Sequence, residues 1–169
     1  LGDGQRLLIT TDRQSAFDQV LAAVPFKGQV LTQIARYWFE ETKDICPNHV
    51  ISYPDPNVVL AKDLEMLPIE IVVRSYLTGS TNTSIWPMYQ RGERVIYGHK
   101  FPDGMRKNQK LAAPIITPTT KPADGGHDAP ITEAEILETQ LLTPAQWHEI
   151  SEKSLALFKR GQALAAEKG

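Results

Sequence analysis

The chain has 169 residues (18.9 kDa), of which 41% are hydrophobic and 22% charged, with a formal net charge of −2. That length suits one large domain or two small lobes and buries roughly 70% of the surface the unfolded chain would expose. Near-neutral charge excludes a global pull toward nucleic acid or an anionic membrane, so local patches must carry any electrostatic role.

Leu1-Gly2-Asp3-Gly4 reads as a turn between two strands, and with no initiator methionine the stretch is expected to be a piece of something longer. No secretory signal is visible there, and no apolar run approaches the length of a membrane span. Gln5–Thr11, QRLLITT, predicts a buried strand that delivers the polar cluster Asp12-Arg13-Gln14-Ser15 toward a cleft. After Phe17, Val20 and Leu21, the connection Pro25-Phe26-Lys27-Gly28 leads into a helix expected over Gln29–Ile45. Its apolar face runs through Val30, Ile34 and Tyr37/Trp38, with Trp38 and Phe39 expected in the core, and Pro47 stops it. The single cysteine, Cys46, excludes an internal disulfide, and with His49 it falls short of a metal-ligand set; a reducing cytoplasm is the expected compartment.

Val50–Tyr53 and Val58–Lys62 predict two strands around the turn Pro54-Asp55-Pro56-Asn57. Asp63–Pro68 then reads as a hinge between lobes, dividing the chain into 1–66 and 67–169. In Pro68–Ser80, PIEIVVRSYLTGS, Ile69, Ile71 and Val73 alternate with Glu70, Val72 and Arg74, the period of a half-buried strand. Asn82–Gln90 predicts a helical turn or short helix interrupted by Pro87, and Val95–Tyr97 and Phe101–Met105 predict short extended pieces. Leu111–Pro130, rich in Pro, Gly and Thr, predicts a long loop of the functional kind. Two helix starts follow. Thr132 to Glu135 forms a capping box with Ile131 and Ile136 as its hydrophobic staple, and Thr143 to Gln146 repeats the pattern with Leu142 and Trp147. The second helix is expected to run close to the end, burying Trp147, Ile150, Leu157 or Phe158, and Leu164, with Gly161 admitting a close neighbour.

No phosphate-loop, dinucleotide, zinc-protease or nucleophile-elbow motif occurs. Three polar clusters remain: Asp12–Asp18, Arg74–Ser80 and Lys121–Asp128. Arg74 followed by Leu77-Thr78-Gly79-Ser80 has the makings of an anion cradle, a guanidinium beside hydroxyls and a glycine that lets a phosphate approach the backbone. The bland readings stand beside it: Arg74 in a surface ion pair, Ser80 as a helix cap, Lys121 solvated, and Asp12, Asp18, Asp124 and the His127-Asp128 pair as turn residues.

In combination and in order, DRQSAFD, PIEIVVRSYLTGS, PIITPTTK and GGHD resemble the phosphoribosylaminoimidazole-succinocarboxamide synthase (SAICAR synthetase) family across nearly the whole chain. The resemblance implies a two-lobed α+β fold, with a kinase-like ATP-binding lobe built on an antiparallel sheet and an α+β second lobe. It implies a ligase of purine biosynthesis that joins carboxyaminoimidazole ribotide to L-aspartate with ATP and Mg2+. Its partners would be small molecules, neither nucleic acid nor membrane, with the oligomeric state left open. Arg74 and Ser80 would meet the ribotide phosphate, and Lys121, His127 and Asp128 would lie by the imidazole and the carboxylate being activated. Asp12 and Ser15 would belong to a substrate-side segment, and Lys62, Leu64 and Met66 to the hinge whose backbone meets adenine. The family's glycine-lysine strand pair and its magnesium-binding acids are expected outside Leu1–Gly169, which implies no turnover from this stretch alone. A small-molecule kinase of related fold and a non-catalytic phosphosugar-binding module remain the rival readings.

Overall fold

A computed structural model describes residues 2–16, 19–121 and 128–168. The chain divides into two units, Leu1–Met66 and Leu67–Gly169, and the described elements are mixed helices and antiparallel pairs, an α+β fold.

In the first unit, β1 (Gln5–Ile9), β4 (Val50–Asp55) and β5 (Val58–Lys62) form a three-stranded antiparallel sheet in the order β1-β5-β4. β2 (Arg13–Ala16) and β3 (Gln19–Ala23) pair separately, a ribbon with no sequence forecast because it carries neither apolar alternation nor a compact turn signal. Helix α1 spans Lys27–Glu41, starting earlier and ending sooner than Gln29–Ile45. Its buried positions are Gly28 and Thr32, followed around the same face by half-buried Ala35 and Phe39. A Cβ at Gly28 would stand 2.2 Å from the Thr10 carbonyl oxygen, so only glycine permits that approach. The forecast apolar face is turned outward instead: Val30, Ile34 and Tyr37 are exposed and Trp38 is 40% exposed, so Trp38 is not a core residue. β1 is likewise not a buried strand, with Ile9 at 60% exposure, because it is the edge of a sheet whose centre is β5, where Val59 and Ala61 are buried.

The second unit is organised on a long antiparallel ribbon. β6 (Ile69–Glu70) pairs with β11 (Thr119–Thr120), and β7 (Val73–Leu77) with β10 (Gln109–Ile116). The pairings Glu70 with Thr119 and Arg74 with Ile115, bridged by a 2.8 Å bond from the Thr117 N–H to the Val72 carbonyl, keep one register from residue 69 to 74. Part of the forecast loop at 111–130 is therefore strand; Pro114 sits where the register shifts between Lys110 and Ile115, the kind of irregularity that tolerates proline in a ladder. α2 (Ile85–Gln90) accepts Pro87 in its first turn, where no helical N–H is lost, so Pro87 does not interrupt it. β8 (Val95–Ile96) and β9 (His99–Lys100) form a hairpin, and Phe101–Met105 is not extended.

Both capping boxes form. Thr132 Oγ1 accepts from the Glu135 N–H while Glu135 accepts from the Thr132 N–H, opening α3 (Glu133–Glu138); Thr143 and Gln146 do the same before α4 (Pro144–Lys168). Their four staple residues, Ile131, Ile136, Leu142 and Trp147, make up one buried cluster, against which Ile69, Ile71 and Ile116 of the ribbon pack. α4 buries less than forecast: Trp147 is buried, Ile150, Leu157, Phe158 and Leu164 are half-buried, and Gly161 has nothing near a Cβ position. A second cluster joins Leu77, Ile85, Met88, Tyr89, Ile96, Tyr97 and Phe101. No helix among the described residues is long and apolar enough to cross a membrane.

Candidate functional site

Alternation along the ribbon sorts its side chains. Odd positions Ile69 and Ile71 go to the helix-side core, which leaves Glu70 and Arg74 together on the opposite face. Directly opposed residues of an antiparallel pair share a face, so Thr117 and Lys121 of the partner strand join them. The contacts agree. Arg74 Nε–H donates to Thr117 Oγ1 at 2.9 Å, and that hydroxyl, fully buried, donates onward to the Val72 carbonyl at 3.1 Å. The guanidinium is thus aimed by a side chain that is itself fixed, and Arg74 has no carboxylate partner among the described residues. Among the described residues it is not in the surface ion pair of the bland reading.

At the other end, the Lys121 N–H donates to the Pro68 carbonyl at 2.9 Å, and its ammonium lies 3.5 Å from Asp128 and 3.9 Å from Glu70. Lys121 and Asp128, named from the sequence, are therefore neighbours. Glu70 is the member that sequence reasoning passed over, although the two-residue period already placed it on the face of Arg74. From Glu70 to Arg74 is four residues, about 13 Å along a strand. One face of the ribbon thus carries, at one end, a guanidinium with no carboxylate partner among the described residues and, at the other, a lysine between two carboxylates.

β7 runs from Arg74 into Thr78-Gly79-Ser80. Gly79 has φ +110°, and a Cβ there would lie 2.3 Å from the Ser84 side chain, so the loop requires glycine. Thr78 Oγ1 donates to Asn108 Oδ1 at 2.6 Å, Thr81 and Ser84 share a hydroxyl contact at 2.7 Å, and Ser80 is left exposed.

The remaining forecast residues lie in the first unit. The Asp12 carboxylate accepts from the Gly28 N–H at 2.9 Å and the Phe26 N–H at 3.2 Å, closing the open backbone donors at the start of α1. Ser15 is exposed on β2. Lys62 ends β5, while Leu64 and Met66 are exposed, Met66 at 80%, in an irregular segment. His127 and Asp18, like Asp124, lie outside the described residues. No group of three His, Cys, Asp or Glu side chains able to hold a metal occurs among the described residues.

The sequence pattern of the SAICAR synthetase family matches residues 2–169. The chain belongs to this family. A Mesorhizobium japonicum protein with the provisional name phosphoribosylaminoimidazole-succinocarboxamide synthase 2 is 64% identical over 169 residues, covering 100% of this chain and 54% of that protein. The Legionella pneumophila (strain Paris) phosphoribosylaminoimidazole-succinocarboxamide synthase is 53% identical, over 100% of this chain and 53% of its own length. Among solved structures, SAICAR synthase from Saccharomyces cerevisiae complexed with SAICAR superposes with a TM-score of 0.82 at 27% identity, over 98% of this chain and 59% of that one. The chain thus spans about half the length of the curated relatives it matches.

Proposed function

We propose that this chain carries the ribotide-binding part of an ATP-dependent ligase that joins carboxyaminoimidazole ribotide to L-aspartate in purine biosynthesis. The observation that carries the reading is the ribbon face, where a guanidinium with no carboxylate partner among the described residues and a lysine–carboxylate cluster lie about 13 Å apart along one strand. A ribotide has its phosphate at one end and its carboxylated imidazole at the other, and the face offers a cation to each. Arg74 grips the phosphate with its free guanidinium edge, with Ser80 and the Gly79 backbone beside it. Lys121 neutralises the carboxylate as it is activated, and Asp128 and Glu70 keep the ammonium in place and accept from the amino groups of the substrates. The family resemblance gives His127 a role in the same chemistry, and gives Asp12 and Ser15 one in substrate binding.

ATP, when bound, supplies the phosphoryl group that turns the carboxylate into an acyl phosphate; the aspartate amine displaces phosphate from it, forming the amide. Leu64 and Met66 fit the adenine edge, because their backbone groups have no hydrogen-bond partner among the described residues, and Lys62 stands just before them. Under this reading residues 1–66 belong to the nucleotide lobe and 67–169 to the substrate lobe. Among the described residues no group of three acidic, histidine or cysteine side chains gathers for the magnesium ion. A second reading is a phosphosugar-binding module without turnover, which the same ribbon face would serve, since it offers a cation to each end of such a ligand whether or not ATP binds.

Calorimetry with ribotide and with ATP separates the two, since a binding module without turnover would bind the first and not the second. Arg74→Ala is expected to weaken ribotide binding about 10- to 100-fold, the scale of a charge-assisted hydrogen bond lost at a prepared site, and to leave ATP binding as it was. Unchanged ribotide affinity would remove Arg74 from the site.

A further inference from the structure

Tyr97 breaks a local rule. Tyr97 and Gly98 are the two-residue turn between β8 and β9, with φ +53° and +79°, so both lie in the left-handed region. Turns of this kind favour asparagine, aspartate or glycine at the first position, because a larger side chain meets the backbone there. A bulky residue kept in a strained conformation needs a compensating contact, and such outliers gather where a particular shape is required.

Burial supplies part of the compensation, since the ring sits in the cluster with Leu77, Ile85 and Ile96. Phenylalanine would supply that equally. The hydroxyl does something else: it donates at 2.7 Å to the carbonyl of Thr83, fourteen residues away, in the loop that follows Gly79 and Ser80. The near end of that loop is held by Asn108 through Thr78. Its middle is held internally, where Thr81 meets Ser84 and Gly79 lies against the Ser84 side chain. Tyr97 fixes the far end from a separate hairpin. Burial raises the phenol above its ordinary range and the nearby Arg74 guanidinium opposes that rise, so the group remains a neutral donor at working pH and stands within the electrostatic reach of Arg74.

The geometry points to Tyr97 as a positioning residue: its hydroxyl holds Thr83 so that the Gly79–Ser84 loop keeps the shape that receives the ribotide phosphate beside Arg74. This rests on the ribotide reading above. The strained turn is retained because it carries a ring long enough to end at the loop.

The test compares wild type with Tyr97→Phe, which keeps the ring, the burial and the turn and removes only the donor. Affinities for aminoimidazole ribonucleoside 5′-phosphate and for the unphosphorylated nucleoside are measured by competition calorimetry, alongside thermal melts. The variant is expected to lose about tenfold in affinity for the phosphate ester, the scale of one hydrogen bond, with nucleoside affinity unchanged. A general loosening of the fold would instead lower both affinities together, and that outcome overturns the inference, as does a phosphate-ester affinity within twofold of wild type. If the wild-type chain itself shows no preference for the phosphorylated ligand, the ribotide reading falls and this inference with it. Preference in wild type that survives in Tyr97→Phe removes the role of Tyr97 alone.

Discussion

The two units handle their apolar side chains differently. In 67–169, the staples of two capping boxes and the odd face of the ribbon close into one cluster, and Leu77, Ile85 and Ile96 close another, with Leu77, Ile85 and Ile136 fully buried. Among the described residues of 1–66, buried apolar positions are few, Val59 and Ala61, while Phe26, Val30, Ile34 and Tyr37 line one exposed stripe of α1 and Leu21 and Ile9 stand out at 65% and 60% exposure. The candidate site follows this difference. Arg74, Thr117, Glu70 and Lys121 project from a ribbon whose other face is clamped by a core, so their directions are set by packing as well as by hydrogen bonds. Of the forecast site residues in the first unit, Asp12 is held by backbone donors at a helix start, with no apolar cluster beneath it among the described residues.

Truncation in each unit tests the comparison most severely. Ile136→Ala removes a fully buried side chain where α3, α4 and the ribbon meet, and is expected to cost about 2–5 kcal/mol. Ile34→Ala, on the exposed stripe of α1, should change stability by no more than about 0.5 kcal/mol. Denaturant titration of both variants decides; equal losses would mean that the α1 stripe is packed in solution. A smaller effect is expected in hydrogen exchange. Amides of β7 and α2 should exchange most slowly and those of β1, β2 and β3 fastest, because local opening is easiest where few apolar contacts must be broken. Uniform protection across the chain would erase the distinction.

How much of this was legible from the sequence depends on where each signal resides. The strand period in Ile69–Arg74 and the two capping boxes are local patterns whose chemistry is complete within a few residues, and they formed as read. The α1 face was misread because periodicity gives a helix an apolar side without saying what packs on it. The decisive contact there is steric, Gly28 against Thr10, and no hydropathy pattern records it. β10 was taken for loop because Pro114 and Ala112-Ala113 mask a strand whose pairing is set by a partner some forty residues away. For the site, Arg74, Lys121 and Asp128 were legible as residue types and the family resemblance grouped them, but Thr117 as the aiming group and Glu70 as the third member depend on register. Lys62, Leu64, Met66, Asp12 and Ser15 lie in the first unit, where no comparable cluster gathers around them among the described residues.

The smallest expected effect is a pH dependence confined to the better-packed unit. The Glu135 carboxyl is held below the usual carboxylate range by hydrogen bonds from the Thr132 hydroxyl and then from the Thr132 N–H, which outweigh a small opposing effect of burial. A depressed folded pKa contributes stability above the unfolded value, about 4.3 for glutamate, and loses it as pH falls through the lower folded value. The α3 start, and with it the Ile131–Ile136 staple, should therefore loosen on acidification. In Glu135→Gln the amide oxygen can still accept from Thr132 but carries no charge to lose. The melting temperature of wild type should exceed that of the variant at neutral pH, and the gap should narrow between about pH 5 and pH 3 as the carboxylate is protonated. A gap that stays constant over that range would mean that the box contributes through shape alone, and one that widens on acidification would reverse the assigned sign.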